Sequence, residues 1–346
     1  MRKSKAQYFL AAVLVWIVLG AAHLARAASH DLQVYFIDVD GGQSTLFVTP
    51  AGKSLLIDTG WAGNNGLDAG RIVAAAKDAG VSKIDYLLFT HYHADHIGGL
   101  SELLARMPVG TFIDHGPESP TDPTTKKAYP AYQALLANGH YGHITPKPGD
   151  ALPIPGIKAV VISSNGEVLN HALPGAGQPN AYCKESETRP EDQTDNARSL
   201  GTLFTFGKTR ILDLGDLTWD KEMQLMCPVN KVGKVDILVV SHHGLFQSSS
   251  PALVDAIAPR IAIMNNGAKK GGSTPTFATI AKAPGLETLW QLHFSEEAGT
   301  HNTTAEYIAN PTGPDAANYL KLTVSPSGSF KVFNSRTGTT KDYAAR

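Results

Sequence analysis

The chain has 346 residues, 42% apolar and 18% charged, with a formal net charge of −1. Those proportions suit a globular protein able to bury a sizeable core. Residues 1–27 hold four basic side chains and no acidic one, so the remainder is acidic, near −5, which excludes the broad basic surface that grips long nucleic acid.

The chain opens on a leader pattern. Arg2, Lys3 and Lys5 precede an apolar run from Tyr8 to about Ala22, and Ala25-Arg26-Ala27 has the small-x-small form of a cleavage site. A secretory signal peptide is expected over residues 1–27. A retained anchor is the alternative, but the run is short of the roughly 20 residues that span a bilayer. No later apolar run is long enough to span one. The expectation is therefore an exported protein, periplasmic or secreted, with no membrane span after cleavage. Residues 28–346 are expected to form a single domain with an insertion or loop at about 165–196. Cys183 and Cys227 are too few for a Cys-rich metal site. In an exported chain they suit one disulfide or two separate buried thiols.

Leu32 to Phe36 alternates apolar and polar residues, as a strand does, and FIDVDGGQSTLFV reads as strand, Gly turn, strand. KSLLIDTG is a short strand ending in a turn. Leu67 to Ala79 has helical spacing and stops at Gly80. IDYLLFT is a buried strand, Gly98 to Arg106 a helix broken before Pro108, and Tyr132 to Ala137 a helix stopped at Asn138-Gly139. IKAVVIS follows as a strand, then the Gly-, Pro- and acid-rich stretch from Asn165 to Asn196. SLGTLFTF and TRILDLGD pair as a hairpin. VDILVVSHHG, RIAIMNN, TLWQLHFS and FKVFN are strands, interleaved with helices at Ala252–Ile257 and Thr276–Ala281. Two groups of strands with helices between them predict a layered α/β domain, sheets inside and helices outside.

LLFTHYHADHIGGL carries the strongest chemical signal. It places His91, His93, Asp95 and His96 at the end of a buried strand, where a turn aims neighbouring side chains at one point. Imidazole with carboxylate is the ligand set of Zn²⁺ and similar ions. ILDLGD ends in Asp216 and ILVVSHHG in His242 and His243, so both repeat the strand-then-ligand arrangement. Weaker candidates surround these. His115, after a short strand, is a further ligand or an ordinary loop histidine. Asp38, Asn196, His293, His301 and Asn302 are candidate pocket residues. Asn265, Asn266 and Lys269 to Gly272 form a polar, Gly-rich turn that suits an anion or plain solvent.

THYHADHIGG resembles the signature of the metallo-β-lactamase fold superfamily, and the order LLIDTG, HYHADH, LGD, SHHG matches it as well. FIDVDGGQST and DILVVSHHG are similar to motifs of the branch related to the metal-binding domain of the DNA-uptake (competence) channel protein. The resemblance implies a four-layer αββα sandwich with two divalent metal ions at one edge, most simply Zn²⁺, with Mn²⁺ or Fe²⁺ as alternatives. His91 and His93 would hold the first ion, Asp95 and His96 the second, Asp216 would bridge them, and His243 would complete the second set. His242 would then contact substrate. Asp58 matches an aspartate that orients ligands. Two departures stand out. TDNARS, with Asp195, Asn196 and Ser199, occupies the region where many members have a third first-site histidine. Gln43 stands where the competence branch carries an acidic residue.

Two adjacent divalent ions bring a shared water to a pKa of about 7, and the bridging hydroxide is then the nucleophile. Asp95 would orient it as well as bind metal, and His242 or His293 would assist the leaving group. The favoured reading is an exported hydrolase of phosphoesters, phosphodiester-type above all, acting on small or short substrates. A lactam or lactone hydrolase is the alternative, disfavoured by the missing histidine. A non-catalytic metal-binding module is the third reading.

Overall fold

The computed structural model describes residues 30–312 and 316–346, so the leader expected at residues 1–27 lies outside the described part. Two nine-stranded sheets carry the structure. The first runs, edge to edge, through Thr339–Tyr343, Phe330–Asn334, Leu320–Val324, Leu32–Phe36, Thr45–Val48, Ser54–Ile57, Ile84–Leu88, Val109–Ile113 and Gly142–Ile144. The second runs through Ile308–Asn310, Thr288–His293, Ile261–Met264, Ile237–Val239, Thr209–Asp213, Gly201–Phe206, Lys158–Ser164 and Ala151–Leu152, with Glu167–Val168 paired onto Lys158–Ser164. Each sheet is mixed. Ser54–Ile57 through Gly142–Ile144 are parallel, as are Thr209–Asp213 through Ile308–Asn310.

The alternation of side chains explains the layering. Ile211, Ile237, Val239, Ile261 and Ile263 face the core between the sheets, together with Val34, Phe36, Leu55 and Ile57. Their neighbours Leu212, Leu238, Val240, Ala262 and Met264 face outward onto helices Trp219–Met226, Pro251–Ile257 and Thr274–Lys282. On the other side, Tyr35, Leu56 and Leu87 face helices Leu67–Asp78, Leu100–Leu104 and Ala128–Asn138. A strand covered on both faces needs apolar residues at every position, which is why these strands read as continuous apolar runs. The result is the αββα sandwich.

The 165–196 stretch is not an unstructured loop. It carries two-residue strands at Glu167–Val168 and Gln178–Pro179 and 3₁₀ turns at Ala181–Lys184 and Asp195–Arg198. Cys183 and Cys227 form a disulfide, Cα atoms 5.9 Å apart, which fastens this stretch to the end of helix Trp219–Met226. Among the described residues, no helix is long and apolar enough to cross a membrane.

Candidate metal centre

Parallel strands deliver their following residues to one edge of a sheet, and here two sheets do so side by side. Asp58 follows Ser54–Ile57 and His91 to His96 follow Ile84–Leu88, while from the second sheet Asp216 follows Thr209–Asp213 and the histidine pair follows Ile237–Val239. His242 and His243 both take left-handed backbone conformations, φ 55° and 53°. Consecutive non-glycine residues there are costly, and such strain persists where the surroundings over-determine it. The His242 amide donates to the Gly215 carbonyl at 3.0 Å, which ties the pair to the turn carrying Asp216.

The inner atoms of seven side chains meet in one buried cluster. His91 Nε2 lies 3.0 Å from His93 Nδ1 and 3.9 Å from Asp216 Oδ2. His96 Nε2 lies 3.2 Å from His243 Nε2 and 3.3 Å from Asp216 Oδ2. Asp95 Oδ2 sits 3.1 Å from His243 Nε2 and 3.4 Å from His96 Nε2. His242 Nε2 is 3.5 Å from Asp216 Oδ2. The ligand atoms of Asp95, His96, Asp216 and His243 all fall within 4.8 Å of one another.

Each outer nitrogen is meanwhile committed elsewhere. His93 Nε2 donates to Asp122 at 2.7 Å, His96 Nδ1 to Asp58 at 2.7 Å and His243 Nδ1 to the Asn265 carbonyl at 3.1 Å. Thr90 Oγ1 donates to Asp58 at 2.6 Å, leaving its lone pairs for His91 Nδ1 at 3.2 Å. Those bonds leave the inner nitrogens of His91, His93 and His243 facing one another, His96 and two carboxylates. Two carboxylates and converging ring nitrogens favour positive charge between them, a proton on His96 or a shared cation. The donor set of imidazole nitrogens and carboxylate oxygens, braced from behind, fits divalent metal ions.

The electrostatics agree. Burial, with the neighbouring His96 and His93, holds His91 well below the usual imidazole range, so it is neutral. For His96, burial pushes downward, but Asp216, Asp95 and Asp58 outweigh it and hold it well above that range. Asp216 and Asp95 are held well below the usual carboxylate range despite burial, by His243 and His96 for the former and by His96 and His243 for the latter. The carboxylates thus draw positive charge into the cluster.

The other predicted residues divide. Asn196 reaches the centre: its Nδ2 lies 3.4 Å from His242 Nε2, and its buried Oδ1 has no partner. His115 does not join the donors. Its Nε2 faces Asp195 at 3.3 Å, and Asp195 is itself occupied by the amides of Tyr92 and Ser119. Asn265 braces His243 through its carbonyl and bonds Gln43 Oε1 through Nδ2 at 2.8 Å, so Gln43 faces Asn265 rather than the donors. Asp38 and His293 form a separate buried pair, Oδ1 to Nε2 2.6 Å, with Arg71 Nη1 3.2 Å from the other carboxylate oxygen. His301 and Asn302 bond away from the donors. His301 Nδ1 turns back on the Ala298 carbonyl, and the Asn302 amide is consumed by Ser295 and Gly299 of its own loop and by Gln291 of the strand before it. Sequence reading missed Asp122 and Thr90. Their sequence signal is only that of a turn and a strand end.

Residues 38–178 match the model of the metallo-beta-lactamase superfamily. With the four layers and the strand-end cluster, that decides the class. The chain has a metallo-β-lactamase superfamily fold. This is a metal-dependent hydrolase fold, and the chain is similar within it to competence proteins. It is 25% identical over 252 residues to recombination protein 2 of Haemophilus influenzae, covering 72% of this chain and 26% of that protein. It is 24% identical over 255 residues to competence protein ComA of Neisseria gonorrhoeae, covering 72% of this chain and 30% of that one. The chain thus spans less than a third of the length of either relative. Among solved structures it is similar to CmlA, a diiron beta-hydroxylase from Streptomyces venezuelae, at 18% identity and TM-score 0.40, over 68% of this chain and 44% of that one. That likeness is too loose to bear on activity.

Proposed function

We propose that the protein is an exported two-cation hydrolase of phosphoesters, phosphodiester-type above all. One observation carries the reading: ring nitrogens and carboxylate oxygens from two sheets converge on one point while the outer nitrogens are anchored. His91 Nε2, His93 Nδ1 and His242 Nε2 would hold the first ion. Asp95, His96 and His243 would hold the second, with Asp216 shared. His242 comes within 3.4 Å of Asn196, so a neighbouring strand supplies the imidazole that TDNARS lacks. This revises the reading of His242 as a substrate contact.

Two such ions, when bound, make a shared water acidic and polarise the substrate oxygen. The side chains do the rest. Asp216 and Asp95 keep the nucleophilic side anionic. Asn196 Nδ2, once His242 is committed to an ion, is free to donate to a substrate oxygen. His293, oriented by Asp38, stands at the end of a strand at the same edge and would hand a proton to the leaving group.

The likeness to competence proteins supports phosphoesters as the substrate class. The disulfide supports export, because such bonds persist in oxidising compartments. A lactam or lactone hydrolase is the second reading, and His242 favours it by removing the objection of a missing third histidine. The test is turnover of bis(4-nitrophenyl) phosphate, 4-nitrophenyl phosphate and a chromogenic cephalosporin, before and after chelation. The expected result is chelator-sensitive cleavage of the diester, cut about 100-fold or more by His91→Ala or Asp216→Ala. Cleavage of the cephalosporin alone would replace this reading with the second. Diester turnover indifferent to chelator and to both substitutions would end it.

A further inference from the structure

Lys270 stands at the rim of the second donor set, and nothing so far gives it a task. Its Nζ contacts Asp95 Oδ2 and donates to the Gly41 carbonyl at 2.8 Å. The same ammonium lies 5.2 Å from the centre of the Trp61 ring. A third of the lysine side chain, 33%, is exposed, and Trp61 is 36% exposed. An indole that open on a well-packed domain, beside a lysine one third exposed, presents a flat apolar face and a positive charge together.

Both groups are held rather than loose. The Gly267 amide donates to the Lys270 carbonyl at 2.8 Å, and the Gly272 amide to the His243 carbonyl at 2.9 Å, so the lysine turn is fastened to the ligand-bearing turn. The approach is close enough to need glycine. A Cβ on Gly271 would sit 2.2 Å from the His243 carbonyl oxygen. A Cβ on Gly42 would sit 2.6 Å from the Asp95 carbonyl oxygen and 3.1 Å from Trp61 Nε1. The Trp61 amide is in turn bonded to Asp68 at 2.8 Å.

A divalent ion shared by Asp95, His96 and His243 outcompetes a single ammonium for Asp95 Oδ2. Lys270 then keeps its backbone position and its Gly41 contact but has one bonding direction free, toward whatever lies over the second ion. We propose that Lys270 and Trp61 form a substrate subsite at that edge. The ammonium takes an anionic oxygen, and the indole covers a planar group carried by the same anion. The ligand class is an aryl or heteroaryl phosphate ester. This deepens the phosphoester reading and rests on it for the second ion.

The test measures binding, not turnover, in zinc-loaded protein, with inorganic phosphate and phenyl phosphate as probes in titration calorimetry. Lys270→Met should weaken both probes about 10-fold, a loss in the range of one charge-assisted hydrogen bond. Lys270→Arg should stay within about 3-fold of the parent. Trp61→Ala should weaken phenyl phosphate and leave inorganic phosphate unchanged. Lys270→Met should also hold its zinc at least as tightly as the parent, since a competing charge has gone from Asp95. Unchanged phosphate affinity in Lys270→Met would overturn the assignment. So would loss of zinc in that variant, which would make Lys270 a structural support. Equal losses for both probes in Trp61→Ala would remove the indole from it. If diesters are not cleaved yet phosphate binding depends on Lys270, the activity reading fails and this subsite stands.

Discussion

Asp58 offers no donor to the interior of the cluster, yet it receives Thr90 N at 2.8 Å, Thr90 Oγ1 at 2.6 Å and His96 Nδ1 at 2.7 Å. It therefore sets the direction of two imidazoles at once. Asp58→Asn replaces one acceptor by a donor facing His96 or Thr90, and should lower zinc affinity by 10- to 100-fold, read by competition with a coloured chelator. Asp122→Asn should do the same to His93, with a smaller loss, because His93 is the more exposed of the two. Much of this site was legible in the chain. HYHADH packs four donors into six residues, and no structural role explains such density. Asp122 was not legible, because its bond to His93 joins residues 29 apart in sequence. His242 was ambiguous for a related reason. Its place beside Asn196, 46 residues away, depends on how two strands are registered. His301 and Asn302 bond within their own segment, as histidine and asparagine that close loops do.

The helix Pro251–Ile257 shows how an element outside the centre responds to pH. Ser250 caps it, accepting from the Leu253 amide at 3.2 Å. Asp255 on its flank is buried, with Oδ1 lacking a partner, and burial pushes its carboxyl up to about 6 from 3.8. The folded state thus binds this proton more tightly than the unfolded chain. The stability it confers is present below about 3.8 and lost as pH rises through about 6. Asp255→Asn should raise Tm by roughly 2–5 °C at pH 8 and give no advantage at pH 4. The Cys183–Cys227 link closes 44 residues, a constraint worth about 4 kcal/mol by loop entropy. Cys183→Ser with Cys227→Ser should lower Tm by on the order of 10 °C and loosen the segment that leads to Asn196. Elements buried on both faces were easy to read from sequence. Leu320–Val324 and Thr339–Tyr343 escaped, because near the sheet edge one face is wet and TTKDY has almost no apolar residue.

At the scale of the molecule, the two sheets serve to bring strand ends from either side of one core to a common edge. Neither sheet alone supplies a complete set: His91 to His96 and Asp58 belong to the first, Asp216 and the histidine pair to the second. The apolar core between Phe36, Ile57, Ile211 and Val239 therefore sets the distance between donors, and a cavity there should be felt at the centre. Ile57→Ala, next to Asp58, should cost about 2–5 kcal/mol in stability and weaken metal binding together, whereas an equal cavity at Phe330 should cost stability alone. The fold class was legible from the order of motifs and the alternation of strands and helices. The closeness of the two donor groups was not, because it is a property of packing. The most direct measurement is the metal content of purified, zinc-equilibrated protein after desalting. The account predicts two ions per chain in the parent, about one in His242→Ala with His93→Ala, and fewer than one in Asp216→Ala. A parent that retains none, or an Asp216→Ala variant that still holds two, would contradict it.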